Sequence, residues 1–578
     1  MKKIIILFTI LSFSVNAQQL AFPDAYGAAA YMNPSRGGSV IHITSLNDSD
    51  SDEIGTLRWA IKNPTNKVLD RIVVFDVSGL IDLQSRLYAS NNPGDEGGYT
   101  GTLYIAGQTA PEGGITITGD NITLSGFNTI VRYIKFRHQE SHSGSDTTIS
   151  LGRADNHIID HCSFSHHSPS KSTVSIATKN NSDVEDFTNG TFSNNLLGNN
   201  TLGFIAGEST PSSPDTNGYF TVIRNGYYNI SHRVPLKGGS AIKVDVVNNI
   251  VHNWSARTIR MDGWEYKLNH FENYYQAGTN TSNQLKWTSY LSNTGNPQIY
   301  TTDNFLEDDP RGNYSKPAGF DTDESVAWTQ FQDNFVPLPS SYFTDVQHSI
   351  NGRAFTIYQN AQLKDSILPE IGACKYMDNN GNAVFSRDVY DEEYVNGIIS
   401  NSDSTRDTNL VLPIQTSSNT RPGNFYVSND HIPEVWFSAN VPDGEDHNDT
   451  APSGYTWLEE YMNQVDGDVV IEDVDVTGVT ITATTYEIGI NQKSTFSKTV
   501  APINATNKTG VWSSSNGSVA TINQQGVATG LTEGSASITF TTNDGTFTDT
   551  KVLQVTEEIA PILNGGTISS KKKLLINN

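Results

Sequence analysis

Phe220-Thr221-Val222-Ile223-Arg224-Asn225-Gly226, Ala241-Ile242-Lys243-Val244-Asp245-Val246-Val247-Asn248-Asn249-Ile250 and Tyr266-Lys267-Leu268…Phe271-Glu272-Asn273-Tyr274 are variations on one phrase. Each is a short run of β-branched and aromatic residues closed by an Asn at a polar corner. Earlier segments repeat it: Gly114-Ile115-Thr116-Ile117-Thr118, Asn121-Ile122-Thr123-Leu124, Ile130-Val131-Arg132-Tyr133-Ile134-Lys135-Phe136, His157-Ile158-Ile159-Asp160 and Ser193-Asn194-Asn195-Leu196. A recurrence of roughly two dozen residues, from about residue 70 to about 310, is the signature of a solenoid. Stacked Asn side chains would satisfy backbone groups at each corner and one another. A β-sandwich or propeller also has many short strands, but these phrases repeat instead of pairing through two-residue hairpin turns. The expected fold is all-β, a right-handed parallel β-helix.

Composition narrows the function. The chain has 578 residues, 37 Lys+Arg against 62 Asp+Glu, and a formal charge of −25. An acidic chain without a long basic run lacks the clustered cations that neutralise phosphates, so no nucleic-acid partner is expected. Only 17% of residues are charged, while 10% are aromatic and Gly (47) far outnumbers Pro (22), which argues against a disordered or collagen-like chain. Cys162 and Cys374 are the only cysteines. One disulfide is open to them in an oxidising compartment, although the apolar run Ile158–Phe164 reads as burying Cys162 as a free thiol.

Met1-Lys2-Lys3 followed by Ile4 to Val15, with Val15-Asn16-Ala17 before Gln18, reads as a signal peptide over residues 1–17, so a secreted protein is expected. That apolar run is too short for a membrane span, which needs about 18 residues or more, and no later stretch qualifies. Residues 18–463 read as the solenoid with a C-terminal extension. Short amphipathic helices are expected around Asp430–Phe437 and Gly454–Met462. Residues 464–475 read as an acidic linker and 557–578, with Lys571-Lys572-Lys573, as a solvated tail. Between them, 476–556 alternate cleanly, and Trp512-Ser513-Ser514-Ser515-Asn516…Val519-Ala520-Thr521-Ile522…Gly526-Val527-Ala528-Thr529-Gly530 resembles bacterial Ig-like domains, small β-sandwiches of surface and secreted proteins.

The solenoid's other phrases carry a second resemblance. Ala21-Phe22-Pro23-Asp24-Ala25, Arg36-Gly37-Gly38, Gly55-Thr56-Leu57-Arg58-Trp59-Ala60, Val74-Phe75-Asp76-Val77-Ser78-Gly79, Ala106-Gly107-Gln108-Thr109-Ala110-Pro111, Ile159-Asp160-His161-Cys162-Ser163 and Gly454–Tyr461 are similar to the pectate lyase superfamily, in its bacterial polysaccharide lyase branch. The likeness runs over about residues 21–463 and implies a pectin lyase-like β-helix, although fold does not fix substrate. Arg233-Val234-Pro235-Leu236-Lys237-Gly238-Gly239 matches the family's Arg-x-Pro, whose Arg is the Brønsted base of β-elimination. The resemblance therefore implies Arg233 as base. A cation suits the chemistry, because proton removal beside a uronate carboxylate builds an enolate dianion that positive charge stabilises.

Relatives in this family bind Ca2+ between carboxylates and substrate, as a hard cation requires. Asp146 stands at one such position, but the usual acidic pair is replaced by Pro169-Ser170 within His166-His167-Ser168-Pro169-Ser170-Lys171. A metal site with one carboxylate left is expected to be weak, and Lys171 is expected to neutralise the substrate carboxylate in its place. Arg257 and Arg260 read either as bidentate holders of carboxylate or sulfate or as surface partners of Asp262 and Glu265. Lys237, His166 and His167 complete the candidate substrate contacts. The adjacent histidines are weak evidence for a transition metal, and His161 is expected inside the coil.

The expected substrate is an acidic polysaccharide, galacturonan by default, with ulvan or alginate as the alternative and a monomer as the expected state. Two rivals remain. One is a non-catalytic glycan-binding or adhesive protein. The other, a glycoside hydrolase, needs a cluster of cleft aspartates that Asp146 and Asp160 alone do not supply.

Overall fold

The repeated phrase folds into a coil of three strands. Ile242–Val247, Ile250–His252 and Arg260–Asp262 form one coil; Tyr266–Phe271, Tyr274–Gln276 and Trp287–Tyr290 form the next. Equivalent strands of successive coils pair in parallel register, Asp245 beside Asn269 and Val251 beside Tyr275. In the computed structural model these pairings build three ten-stranded sheets, the parallel β-helix expected from the repeat. The described residues are 19–48, 53–63, 65, 70–90, 102–138, 147–167, 171–178, 188–207, 218–239, 242–262, 265–281, 287–290, 296–333, 335–402, 418–426, 431–466, 476–501, 510–524 and 526–557. The chain divides into two units, 1–469 and 470–578.

Sheet one runs from Ser39–Ile43 to Gln298–Thr302. Sheet two runs from Val77–Leu83 to Phe305–Glu307, with Asn419–Thr420 added antiparallel beside its first strand. Sheet three runs from Leu87–Ser90 to Phe331–Asp333, where the antiparallel Val336–Pro337 closes it.

The corner between sheets one and two sets the register. At seven coils it passes through one left-handed residue, Tyr133, His161, Asn194, Arg224, Asn248, Glu272 or Asp303, with φ from +48° to +56°. Such a conformation costs a non-glycine residue roughly 1–2 kcal/mol. The following position offsets that cost in the later coils. The side-chain amides of Asn195, Asn225 and Asn249 each donate to the next Asn Oδ1 at 3.0 Å, and Asn273 donates to Asn304 at 2.9 Å. Each backbone N–H of the first four donates to the same oxygen at 2.9–3.2 Å. The second amide hydrogen of Asn225, Asn249 and Asn273 returns to a carbonyl of the preceding coil, on Phe192, Val222 and Val246. The interior is layered, with Phe136 stacked on Phe164 at 4.9 Å and Phe192 on Phe204 at 4.3 Å. Cys162 and Cys374 are both buried and free, so no disulfide joins them.

Among the described residues, the C-terminal extension covers two of the three outer faces. Helix Trp457–Met462, closed by a capping box between Thr456 and Glu459, packs Leu458, Tyr461 and Met462 with Phe22 of the N-terminal segment and with Ile72, Tyr104 and Ile130 of sheet one. Arg36 grips Glu459 there, with Nε to Oε2 at 2.8 Å. Helix Val389–Ser400 packs Tyr394 and Ile398 onto Leu196, Tyr228 and Ile250 of sheet two. Neither covering layer lies on sheet three. No described helix is long and apolar enough to cross a membrane.

The second unit is a two-sheet sandwich. Gly478–Ala483, Lys493–Ala501, Val527–Gly530 and Ala520–Ile522 form one sheet; Glu487–Gly489, Thr548–Thr556, Gly534–Thr542 and Gly510–Ser514 form the other. Ile481, Phe496, Trp512, Phe540 and Leu553 fill the space between them.

Two predictions test these packing arguments. Asn249→Ala breaks the Asn ladder at its centre, stranding two Asn225 donors on one side and taking a donor from Asn273 Oδ1 and the Val222 carbonyl. It should cost about 2–4 kcal/mol, read as a lower thermal midpoint, and more than Asn304→Ala at the half-buried end. Asp245 is buried in sheet one, accepting from Asn269 Nδ2 at 2.7 Å and Asn351 N–H at 2.9 Å. Burial nevertheless pushes its carboxyl up to about 6. A carboxyl raised on folding favours the native state below its unfolded value and loses that contribution as pH rises through 6. Between pH 4 and pH 8, Asp245→Asn should therefore gain on the parent by up to about 3 kcal/mol, measured by denaturant titration at both pH values.

Candidate functional site

Alternation along sheet three decides which side chains leave the helix. Leu87, Ile122, Ile149, Val174 and Phe204 point inward and are buried. Tyr88, Thr123, Ser150, Ser175, Ile205, Lys237 and Arg260 follow one another in register as an outward row. Most of the middle of this row is small, and Lys237 and Arg260 bring two cations side by side on neighbouring strands. Asp262 lies two residues past Arg260 and so on the same face. Its Oδ1 accepts from Arg260 Nε at 2.7 Å and its Oδ2 lies 3.3 Å from Lys237 Nζ.

Arg233 enters from the turn before Lys237, in left-handed backbone at φ +66° and ahead of a cis Val234–Pro235 bond. The turn is stacked on the coil below: Gly203 N–H donates to the His232 carbonyl at 3.0 Å and Phe204 N–H to that of Arg233 at 3.1 Å. A Cβ on Gly203 would stand 2.3 Å from the Arg233 carbonyl oxygen, so only glycine admits this approach. The Arg233 guanidinium reaches two coils back, donating from Nη1 to Ser172 Oγ at 2.8 Å. Its Nε is buried without a hydrogen-bond partner. Arg257 belongs to the coil above, where the Ala256 N–H donates to Ser231 at 2.9 Å.

Arg233 is thus half-buried among like charges. Burial, then the Arg260 guanidinium, holds its basicity below the ordinary arginine value; Arg257 adds to this and Asp262 opposes it. Lys237 is lowered likewise, by burial first, with Asp262 pulling against Arg233 and Arg260. A guanidinium made easier to deprotonate, beside fixed cations, can accept a proton from an acidic C–H and stabilise the anion left behind.

The structure brings Arg233, Lys237, Arg257 and Arg260 together. Lys237 is only 5% exposed and tied to Asp262, and the pairing of Arg260 with Asp262 is the one observed. Lys171 is exposed, immediately before Ser172. His166 and His167 are 4% and 0% exposed and do not stand in the outward row of Lys237 and Arg260. They occupy the corner after sheet two, with the His166 ring against Tyr390 at 5.0 Å and that of His167 against His138 at 4.9 Å. His161 is buried, but outside the coil and not within it as expected: its Nδ1 bonds Asp160 Oδ2 at 2.7 Å and its ring stacks on Tyr133, which packs with Phe22 and Met462 beneath the extension. Asp160 is structural too. Burial would raise its carboxyl, but His161 and Arg132 hold it well below the usual carboxylate range. Asp146, Pro169 and Ser170 lie outside the described residues. Burial pushes the Cys162 thiol up, so it is no nucleophile. Ser172 and Gly203 escaped the sequence reading, because both act across coils.

Among the described residues no group of three or more His, Cys, Asp or Glu side chains is placed to hold a metal ion. Near Arg233 the described carboxylate is Asp262, already engaged by two cations. Among the described residues this one carboxylate does not make up a Ca2+ site, which requires several hard oxygen ligands.

Residues 475–553 match the family model of the bacterial Ig-like domain (group 2). Among curated proteins, the chain is 30% identical over 298 residues to a probable pectate lyase C of Aspergillus flavus, covering 51% of this chain and 62% of that one. The probable pectate lyase C of Emericella nidulans is 30% identical over 295 residues, covering 51% and 61%. The chain therefore spans about three fifths of the length of these relatives. Among solved structures, a pectate lyase of Bacillus sp. N165 in complex with trigalacturonate aligns with 16% identity and a TM-score of 0.35, over 60% of this chain and 98% of that one. The chain is thus a parallel β-helix similar in sequence, over about half its length, to these probable pectate lyases, followed by a segment that matches the bacterial Ig-like domain.

Proposed function

We propose that the protein is a secreted polysaccharide lyase that cleaves a uronate polymer by β-elimination, galacturonan by default, with Arg233 as base. The observation that carries this reading is Arg233 itself, half-buried, fixed by Ser172 and surrounded by Lys237, Arg257 and Arg260. Its relationship to pectate lyases supports the substrate class.

In the step proposed, the carboxylate of one uronate sits against the cations, which acidify the neighbouring C5–H. Arg233, in its neutral form, takes that proton, the C–H electron pair becomes the C4=C5 double bond, and the C4–O bond breaks. The departing oxygen is protonated from solvent, and Arg233 then releases its proton. The cations act most strongly on the charge that develops on the carboxylate and C5, which is where electrostatic catalysis gains its effect. Fixed Lys and Arg groups, with Lys171 at the edge, take the neutralising part that a metal would otherwise have, and no step is routed through Ca2+.

Incubation with polygalacturonate, alginate and ulvan should yield new ultraviolet absorbance from an unsaturated uronate with at least one polymer. A polymer that is bound but never cleaved would leave a glycan-binding protein instead. Arg233→Ala should lower kcat by about a thousandfold with little change in KM. Intact activity in that variant would remove Arg233 from the chemistry. Activity should persist in chelator, and loss that Ca2+ restores would refute the metal-free reading.

A further inference from the structure

We propose that Asp262 is the positioning residue of the cation cluster: its carboxylate fixes Lys237 and Arg260 and sets the net charge that faces Arg233. The proposal rests on the reading of Arg233 as base and adds the group that governs it.

The geometry is that of a two-pronged clamp. Each oxygen of Asp262 takes a different cation, Arg260 on its own strand and Lys237 on the strand of the preceding coil. The strand it secures is short: Lys237–Gly238 pairs through two residues with Ile205–Ala206 on one side and Arg260–Met261 on the other. Lys237 and Arg260 are direct register partners, and like charges directly opposite on neighbouring strands are destabilising. Asp262 makes that pairing tolerable and holds both heads on the outer face.

The groups that face Arg233 can be named by element. His232 shares its turn, and Ser172, with Lys171 beside it, comes from two coils back. Lys237 follows on the same coil, and Arg257, Arg260 and Asp262 stand on the coil above. Against the cations Lys237, Arg257 and Arg260, Asp262 is the described carboxylate in contact with the cluster. It raises the basicity of both Arg233 and Lys237, countering burial and the neighbouring cations. Removing its charge while keeping its shape therefore increases the positive field. Arg233 then loses its proton at lower pH, and a polyanion is held more tightly and more salt-dependently.

The test compares full-length parent, Asp262→Asn, Asp262→Glu and Arg233→Ala on polygalacturonate. In Asp262→Asn, the rising limb of kcat/KM against pH should move about one unit toward acid. Its KM should fall about threefold at low salt and climb more steeply with added salt. Asp262→Glu keeps the charge and should keep the parental limb. An unshifted limb in a folded Asp262→Asn, whatever its kcat, would reduce Asp262 to a structural contact. Should the Asn variant not fold, a limb displaced in Asp262→Glu overturns the proposal equally. Full activity in Arg233→Ala overturns both the base and its governor. An inactive Arg233→Ala alongside an unshifted Asp262→Asn overturns only the governor.

Discussion

Everything on sheet three depends on a corner elsewhere. A parallel coil has no hairpin to fix its register, so each turn must return the chain to the same place by other means. Here the left-handed residue after sheet one sets the turn, and from Asn195 to Asn304 the stacked amides prevent a coil from slipping past its neighbour. Such a slip would turn inward-facing residues outward along a whole strand. Because register holds, Lys237 meets Arg260 and not Met261, and Arg233 meets Ser172 across an intervening glycine. The chemistry of the outer face is a consequence of hydrogen bonds made at the opposite corner.

Charge is distributed to the same end. The chain carries a formal −25, yet the outer face of sheet three gathers Lys237, Arg257 and Arg260 about a half-buried arginine. Salt screens charges separated by more than about 10 Å, so an acidic exterior and a cationic site coexist. Burial makes the site's own charges count for more than their number, because neighbouring cations act on Arg233 through protein and not through water.

The helix was legible because its determinants are local and repeated: an apolar run, then Asn at the corner. The left-handed corner residue was not, since Tyr133, Arg224 and Glu272 share a backbone conformation and no side-chain chemistry. Arg233 was legible through its Arg-x-Pro phrase. Asp262 was visible only as one possible partner of Arg260, because its second contact, Lys237, lies on another coil and exists only once register is known. Ser172 was hidden for the same reason. The separation of His166 and His167 from the outward row of sheet three has a different origin. They stand at a corner, where strict in-and-out alternation lapses, so both neighbours can be buried at once.

Arg132 ties the two ends of this unit together. It is fully buried, over the ring of Phe22 and between Asp160 on the next coil and Asp466 near the end of the extension. An arginine so enclosed is tolerable only when its charge is answered, and one of its answers arrives more than three hundred residues later. Stacked repeats ordinarily nucleate anywhere and grow by neighbours. This solenoid can grow so, but its first coils are not complete until the last segment has docked. Synthesis order and the order of completion therefore part company: an early coil receives its last charge partner only when the end of the extension is in place.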